Sequence, residues 1–266
     1  MQVGGAVITS ASNSQVKNII NLLKRSGERK RHGLFVIEGI RMFKEAPFES
    51  LCGVYVSESF ARANGDFLCG YSYETVREDI FARMSDTKTP QGILATVRMP
   101  RHTLDGILKK SETPLLAVLE NIQDPGNLGT IIRTAEGAGA DGIIMSRDTA
   151  DIFNPKAVRS TMGSLFRMPF VYTDDICTAV RSLGEMGINT CAAHLEGAEE
   201  YYNIDYRMPS AVLIGNEGAG LSEALTAAAK SRIKIPMRGK LESLNAAVSA
   251  AVVLYEAARQ RAVKAP

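Results

Sequence analysis

The sequence predicts a two-part α/β protein whose larger, C-terminal part is built on a mainly parallel sheet. Three observations carry that prediction. Strand candidates at 115–119, 142–145, 166–172, 188–193, 211–214 and 232–235 alternate with helical segments, the pattern of a parallel sheet covered on both faces. A smaller set at 34–37, 53–57 and 92–97 also has helical patterns between its members. Between the two sets, residues 98–113 hold Pro100, Lys109 and Lys110 and no strong strand. Domains are therefore expected at 1–98 and 114–266, with 99–113 as linker.

In chain order, the first helix is signalled by a Ser-x-x-Gln capping box at Ser12 and Gln15. An apolar stripe of Val16, Ile19, Ile20 and Leu23 follows at helical spacing. A basic turn comes next. Residues 1–44 carry eight Lys or Arg against Glu28 and Glu38, and Lys24, Arg25, Arg29, Lys30 and Arg31 are its centre. Two readings fit such a run: a solvated helix face, or a patch that contacts phosphates. Further on, Gly137, Gly139 and Gly142 spell G-x-G-x-x-G, the dinucleotide-binding fingerprint. Here the glycines follow a helix and precede a strand. The fingerprint needs the opposite order, so that phosphates meet a helix N-terminus. The first two glycines are read as helix termination.

The last segment, residues 232–257 (RIKIPMRGKLESLNAAVSAAVVLYEA), runs from a strand through a polar loop into a long apolar helix expected to begin near Leu244. A helix apolar nearly all round belongs against other elements or a second subunit. Its positive end then carries Glu242, Ser243 and Asn245, where free N–H groups can hold a ligand. The plainer reading is that Ser243 caps the helix and Pro236 ends the strand.

Composition excludes more than it identifies. The chain has 266 residues, 45% hydrophobic and 23% charged, with a formal net charge of +2, ordinary values for a globular protein. Cys52, Cys69, Cys177 and Cys191 show no C-x-x-C spacing, and His32, His102 and His194 are dispersed, so neither a metal site nor a Ser-His hydrolase is indicated. The cysteines read as reduced thiols. No signal-peptide layout or membrane-length apolar run is found, and a cytoplasmic location is expected.

Two more segments stand out. Residues 121–142 (NIQDPGNLGTIIRTAEGAGADG) follow the strand candidate at 115–119, and residues 214–225 (IGNEGAGLSEAL) follow the one at 211–214. Together with the last segment they resemble, in order and in spacing, the three motifs of the SpoU (TrmH-like) family of RNA ribose 2′-O-methyltransferases in the SPOUT superfamily. The first motif is carried by Asn127, Gly129 and Arg133, the second by Gly215, Glu217 and Gly220. The third is carried by Ile235, Pro236, Met237, Gly239, Ser243, Leu244 and Asn245. The N-terminal half, with SDTKTPQGIL at 85–94, resembles the ribosomal-protein-like substrate-binding domain of many family members.

The resemblance implies a C-terminal domain tied as a deep trefoil knot, with S-adenosylmethionine held in a bent shape by Gly215, Gly220, Ile235, Met237 and Leu244. It implies a catalytic set of Arg133, Asn127, Glu217, Ser243 and Asn245. Ribosomal RNA is the first expected substrate and transfer RNA the second, in a homodimer where the arginine can serve the partner's site. The reaction is attack of a ribose 2′-hydroxyl on a sulfonium methyl. Family proposals cast the arginine as general base, yet an arginine side chain stays protonated in proteins. Arg133 is therefore assigned as phosphate clamp and stabiliser of oxyanion charge. A non-catalytic RNA-binding or ribosome-assembly factor with the same fold is the rival from another class, and base methylation by a related knotted family a second.

Overall fold

The computed structural model describes residues 7–196 and 199–262, which form two compact units. Part of the segment that lacks a signal-peptide layout, residues 1–6, lies outside the described residues. In the first unit, α1 (Ser14–Lys24) and α2 (Ser26–His32) precede β1 (Leu34–Glu38) and α3 (Ile40–Glu45). Then come β2 (Leu51–Ser57), α4 (Glu58–Ala63), β3 (Glu74–Val76), α5 (Glu78–Met84) and β4 (Ile93–Arg98). The strands form one sheet in the order β1-β4-β2-β3, antiparallel except for β2 and β3. Val16, Ile19 and Leu22 of α1 pack with Val36, Leu94 and Met84 as its core. Asn13, not Ser12, caps α1: its side chain accepts the Gln15 N–H at 2.8 Å, while Ser12 pairs with Ser10.

The second unit begins with α6 (Leu104–Leu108), β5 (Leu115–Leu119), α7 (Pro125–Gly137) and β6 (Gly142–Ser146). The chain next forms α8 (Pro155–Thr161), then β7 (Phe170–Thr173), α9 (Ile176–Glu185), β8 (Asn189–Ala193) and β9 (Glu199–Glu200). It ends with β10 (Ser210–Ile214), α10 (Glu223–Ala228), β11 (Ser231–Lys234) and α11 (Ala246–Ala262). The seven strands run in the order β7-β6-β5-β10-β8-β11-β9, and every pair is parallel. β5, β6 and β10 are buried along their whole length, as continuous apolar runs require in a sheet covered on both faces.

Four expectations are corrected here. The strand expected at 166–172 is a 3-10 turn (Ser164–Phe166) followed by the shorter β7, because Pro169 has no N–H to donate to a ladder. The expected linker is not free chain: Thr103 caps α6, and Ile107 is 1% exposed in the core of the second unit. Residues 153–166, expected in the catalytic part, pack instead within the first unit. There Phe35 meets Phe153 and Phe166 with ring centres 4.8 and 6.2 Å apart, and Arg159 pairs with Asp86 at 2.6 Å. The last helix begins at Ala246, two residues beyond Leu244, with Asn245 as its cap. The glycines after α7 behave as read: the helix ends at Gly137, and Gly139 has φ +75°.

Candidate active site

The sheet order locates the site. From β5 the chain builds outward through β6 and β7, then returns to place β10, β8 and β11 on the other side of β5. A ligand crevice in such a sheet lies beyond the carboxyl ends of the strands at that reversal. The loops leaving β5 and β10 meet there, and a cleft of about 550 Å³ opens beside them. It is walled by residues following β8 (His194, Leu195), β10 (Gly215–Leu221) and β11 (Ile235–Met237), and by Leu241–Leu244 ahead of α11.

Each loop is shaped by its own chemistry before it meets the others. Asn121 turns the chain with φ +54°, and its carbonyl accepts from Asn216 Nδ2 at 2.8 Å. Asp124 then caps α7 through the Asn127 N–H at 2.9 Å, with Pro125 in the first turn. After β10, Asn216 Oδ1 accepts from the N–H groups of Gly218 and Ala219, and the backbones of Asn216 and Gly220 exchange two hydrogen bonds. That tight return brings main chain against main chain. A Cβ placed on Gly215 would lie 2.2 Å from the Gly220 carbonyl carbon and 2.2 Å from the Leu221 nitrogen.

Three side chains expected in the site are joined. Glu217 accepts from the backbone N–H of Gln123 (3.1 Å) and Asp124 (3.0 Å) and from Asn127 Nδ2 (3.0 Å). Asn127 Oδ1 accepts in turn from Asn245 Nδ2 at 3.0 Å. This order fixes the Asn127 amide, since the flipped carboxamide would set oxygen against the carboxylate. Partial burial alone would raise the Glu217 carboxyl, but the donors from Asn127, Gln123 and Asp124 outweigh it and hold it below the usual glutamate range. The N-termini of α7 and α11 thus converge at the Asn127–Asn245 bond, an electropositive setting.

The remaining expected residues separate into three groups. Gly215, Gly220, Ile235, Met237, Leu244 and Ser243 all line the cleft. Ser243 does not cap α11; Asn245 does, accepting from Ala247 and Val248 N–H. Arg133 stands on α7 outside the hydrogen-bonded cluster, exposed to solvent, while Glu136 pairs with Arg167. One turn beyond Arg133, the Tyr255 hydroxyl lies 2.9 Å from where a Cβ of Gly137 would be. His194, Leu195 and Glu200 were missed, because only the sheet topology brings β8 and β9 beside β11. Asn216 lay inside the second motif and could have been nominated as a turn residue.

In the basic turn, Lys24, Arg25, Lys30 and Arg31 are exposed, with Arg31 bonded to Glu28 at 2.6 Å. Arg29 is the exception and a correction. It is 3% exposed, and its guanidinium donates to the carbonyls of Leu22 (2.7 Å) and Leu23 (3.2 Å). It satisfies the open end of α1 and cannot reach a phosphate. Among the described residues no group of three or more His, Cys, Asp or Glu could hold a metal ion.

Comparison with known proteins gives a consistent answer. Residues 114–255 match the model of the SpoU rRNA Methylase family, and residues 13–95 match an MRM3-like substrate binding domain. The 23S rRNA (guanosine(2553)-2′-O)-methyltransferase RlmP of Bacillus subtilis is 34% identical over 93% of this chain and 97% of its own. The 23S rRNA (uridine(2479)-2′-O)-methyltransferase of Streptomyces viridochromogenes is 34% identical over 90% of this chain and 88% of its own. Among solved structures, the SpoU methyltransferase AviRb from Streptomyces viridochromogenes, in complex with the cofactor AdoMet, superposes with a TM-score of 0.82. It has 31% identity and covers 94% of this chain and 98% of that one.

Proposed function

The chain belongs to the SpoU rRNA methylase family, and on that premise we propose that it transfers a methyl group from S-adenosylmethionine to a ribose 2′-hydroxyl of ribosomal RNA. The observation that carries the reading is the linkage of all three motif segments through Glu217, Asn127 and Asn245, with Glu217 on the wall of the cleft that the second and third segments line.

The residues present suit the cofactor. Ile214, Ile233, Ile235 and Leu244 give the cleft an apolar wall, and Gly215, Gly218 and Gly220 let a ligand approach the main chain with no side chain between. A few fixed polar groups on apolar walls, in a volume of this size, is what a small-molecule site needs. When bound, S-adenosylmethionine supplies an electrophilic methyl on a cationic sulfur.

The protein's task is alignment, which can supply a large part of the rate. Asn127 has both polar atoms engaged, yet one amide N–H and one oxygen lone pair remain to orient a ribose. Glu217 acts through Asn127 as a positioning residue; with three donors on its carboxylate it is poorly placed to accept the hydroxyl proton. The positive ends of α7 and α11 stabilise negative charge developing on the attacking oxygen. Ser243, on the cleft wall, holds the nucleotide or the loop.

Arg133 is assigned to a phosphate of the RNA bound by a second copy of the chain. Its helix face continues onto Val248 (47% exposed) and Tyr255 (54% exposed), apolar surface that a two-fold contact would cover. The trefoil knot belongs to the same proposal: after β11 the chain returns to lay α11 against α7 and β10, on the far side of β8. Four free thiols suit a reducing cytoplasm, and no described helix is long and apolar enough to cross a membrane.

The test has two arms. Calorimetry with S-adenosylhomocysteine should show one site per chain. Mapping 2′-O-methyl groups on ribosomal RNA from cells with and without the gene should reveal one position that loses its methyl. Intact methylation at every ribosomal position would overturn the substrate assignment.

A further inference from the structure

The cleft is lined by three carboxylates, and they are not equivalent. Glu217 is committed to the protein by its three donors. Glu200, on the edge strand β9, and Glu242, in the loop ahead of α11, also line the cleft, and neither side chain has a hydrogen bond or ion pair among the described residues. Among the described residues Lys234 is the only lysine or arginine on the wall. It sits directly across from Glu200 in the β9–β11 pairing, yet the two form no ion pair among the described residues. His194, also on the wall, is engaged by the protein through Nδ1 and the Glu196 N–H at 3.1 Å.

Two unpaired carboxylates and one unpaired ammonium therefore face one space. S-adenosylmethionine carries the complement: a sulfonium, an ammonium and one carboxylate. The product carries less. When the methyl leaves, the carbon–sulfur electron pair stays on sulfur, the new bond forms to the ribose oxygen, and the hydroxyl proton is released. Sulfur ends uncharged while the ammonium and carboxylate are unchanged. A wall with surplus negative charge then holds the ligand more strongly before transfer than after it.

Resting on the methyltransferase reading, we propose that Glu200 and Glu242 act as a charge filter. They favour the cationic cofactor over its neutral-sulfur product, which makes S-adenosylhomocysteine easier to displace. Glu217 is fixed in another task, its carboxylate oxygens held by the Gln123, Asp124 and Asn127 N–H groups. Leu195 (65% exposed) and Leu241 (72% exposed) line the same cleft and would exclude water from it once it is filled, strengthening the field the two carboxylates exert.

The test is calorimetric and needs no RNA. Affinities are measured for S-adenosylmethionine, for S-adenosylhomocysteine, and for sinefungin, which places an amine cation where the sulfonium stands. Wild type is compared with Glu200→Gln, Glu242→Gln and the double variant. Each single change should lower the preference for the two cationic ligands over S-adenosylhomocysteine by about two- to fivefold, the range for a partly exposed charge pair. The double change should lower it by roughly four- to twenty-fivefold if the two act independently. S-adenosylhomocysteine binding should fall much less, which also shows that the variants remain folded. Equal loss of all three ligands, or an unchanged ratio, would overturn the filter alone. A wild type that binds none of them would remove the methyltransferase reading and the filter with it.

Discussion

Replacing Gly215 by alanine tests whether the cleft depends on a close approach of two main chains. The new Cβ would stand 2.2 Å from the Gly220 carbonyl carbon, 2.2 Å from the Leu221 nitrogen and 2.3 Å from the Gly220 oxygen. All three atoms are backbone, so no side chain can swing away, and the two segments must part by more than an ångström to reach ordinary contact. Overpacking of a well-packed site costs about 1 to 3 kcal/mol, and a clash confined to backbone belongs at the upper end. At about 3 kcal/mol, a domain of this size should melt roughly 6 to 12 °C lower. The damage should also reach the chemistry. The displaced loop carries Asn216, which anchors Asn121, and Glu217, which holds Asn127. A misplacement of about 1 Å can cost 10²-fold in rate. Scanning calorimetry and S-adenosylhomocysteine binding would be measured beside Gly218→Ala, whose Cβ would meet only Asn216 Oδ1 at 3.7 Å. A Gly215→Ala protein that melts within a degree or two of wild type and binds normally would refute the argument.

Glu217→Gln should lower the turnover rate while leaving cofactor affinity close to wild type, because the amide would set its own donors against the Gln123 or Asp124 N–H. Since the folded Glu217 carboxyl titrates below the usual glutamate range, its contribution to stability is complete above that range and is lost as pH falls through its lowered value. Acid unfolding curves of Glu217→Gln should therefore be flatter than wild type there; identical curves would show that the network contributes nothing. Arg29→Ala should destabilise the protein by about 2 to 4 kcal/mol, from losing two charge-assisted bonds at the end of α1, without changing the salt dependence of RNA binding. Reversing Lys24, Arg25, Lys30 and Arg31 should do the opposite: stability is kept, and the slope of log K against log salt falls by about 0.7 to 0.9 per lost phosphate contact. Val248→Asp with Tyr255→Asp should give a folded monomer by light scattering and circular dichroism, since both residues are exposed; a persisting dimer would place the contact elsewhere.

The strands were legible because a parallel sheet writes its core as runs such as LLAVL and SAVLI, which need no partner to be recognised. Helix ends were less so. Ser12 and Asn13 are both good caps one residue apart, and only the dihedral angles chose Asn13. Residues 153–166 show a deeper limit. NPKAVRST forms a helix capped by Asn154, but no periodicity says which core its apolar face joins. That was settled by Phe35 against Phe153 and Phe166, and by Glu45 lying under Gly163, where a Cβ would sit 2.6 Å away. Arg29 failed for a related reason. A cation in a basic run looks like its neighbours until the backbone bends the helix end toward it.

The site divides along the same line. Each motif is readable because it solves a local problem: Asp124 and Pro125 start a helix, Gly220 turns at φ +71°, and Asn245 caps α11. Those are properties of a few consecutive residues, and sequence carries them openly. What each carboxylate does is set instead by who stands opposite it, which for Glu217 means partners 90 to 94 residues away along the chain. Glu217 lies in a recognisable motif and turns out to be held by Gln123, Asp124 and Asn127. Glu200 lies in no motif at all, and it reaches the cleft only because β9 pairs with β11. A motif therefore marks where a site is built, while the charge left over for a ligand depends on the pairing of residues that no spacing records.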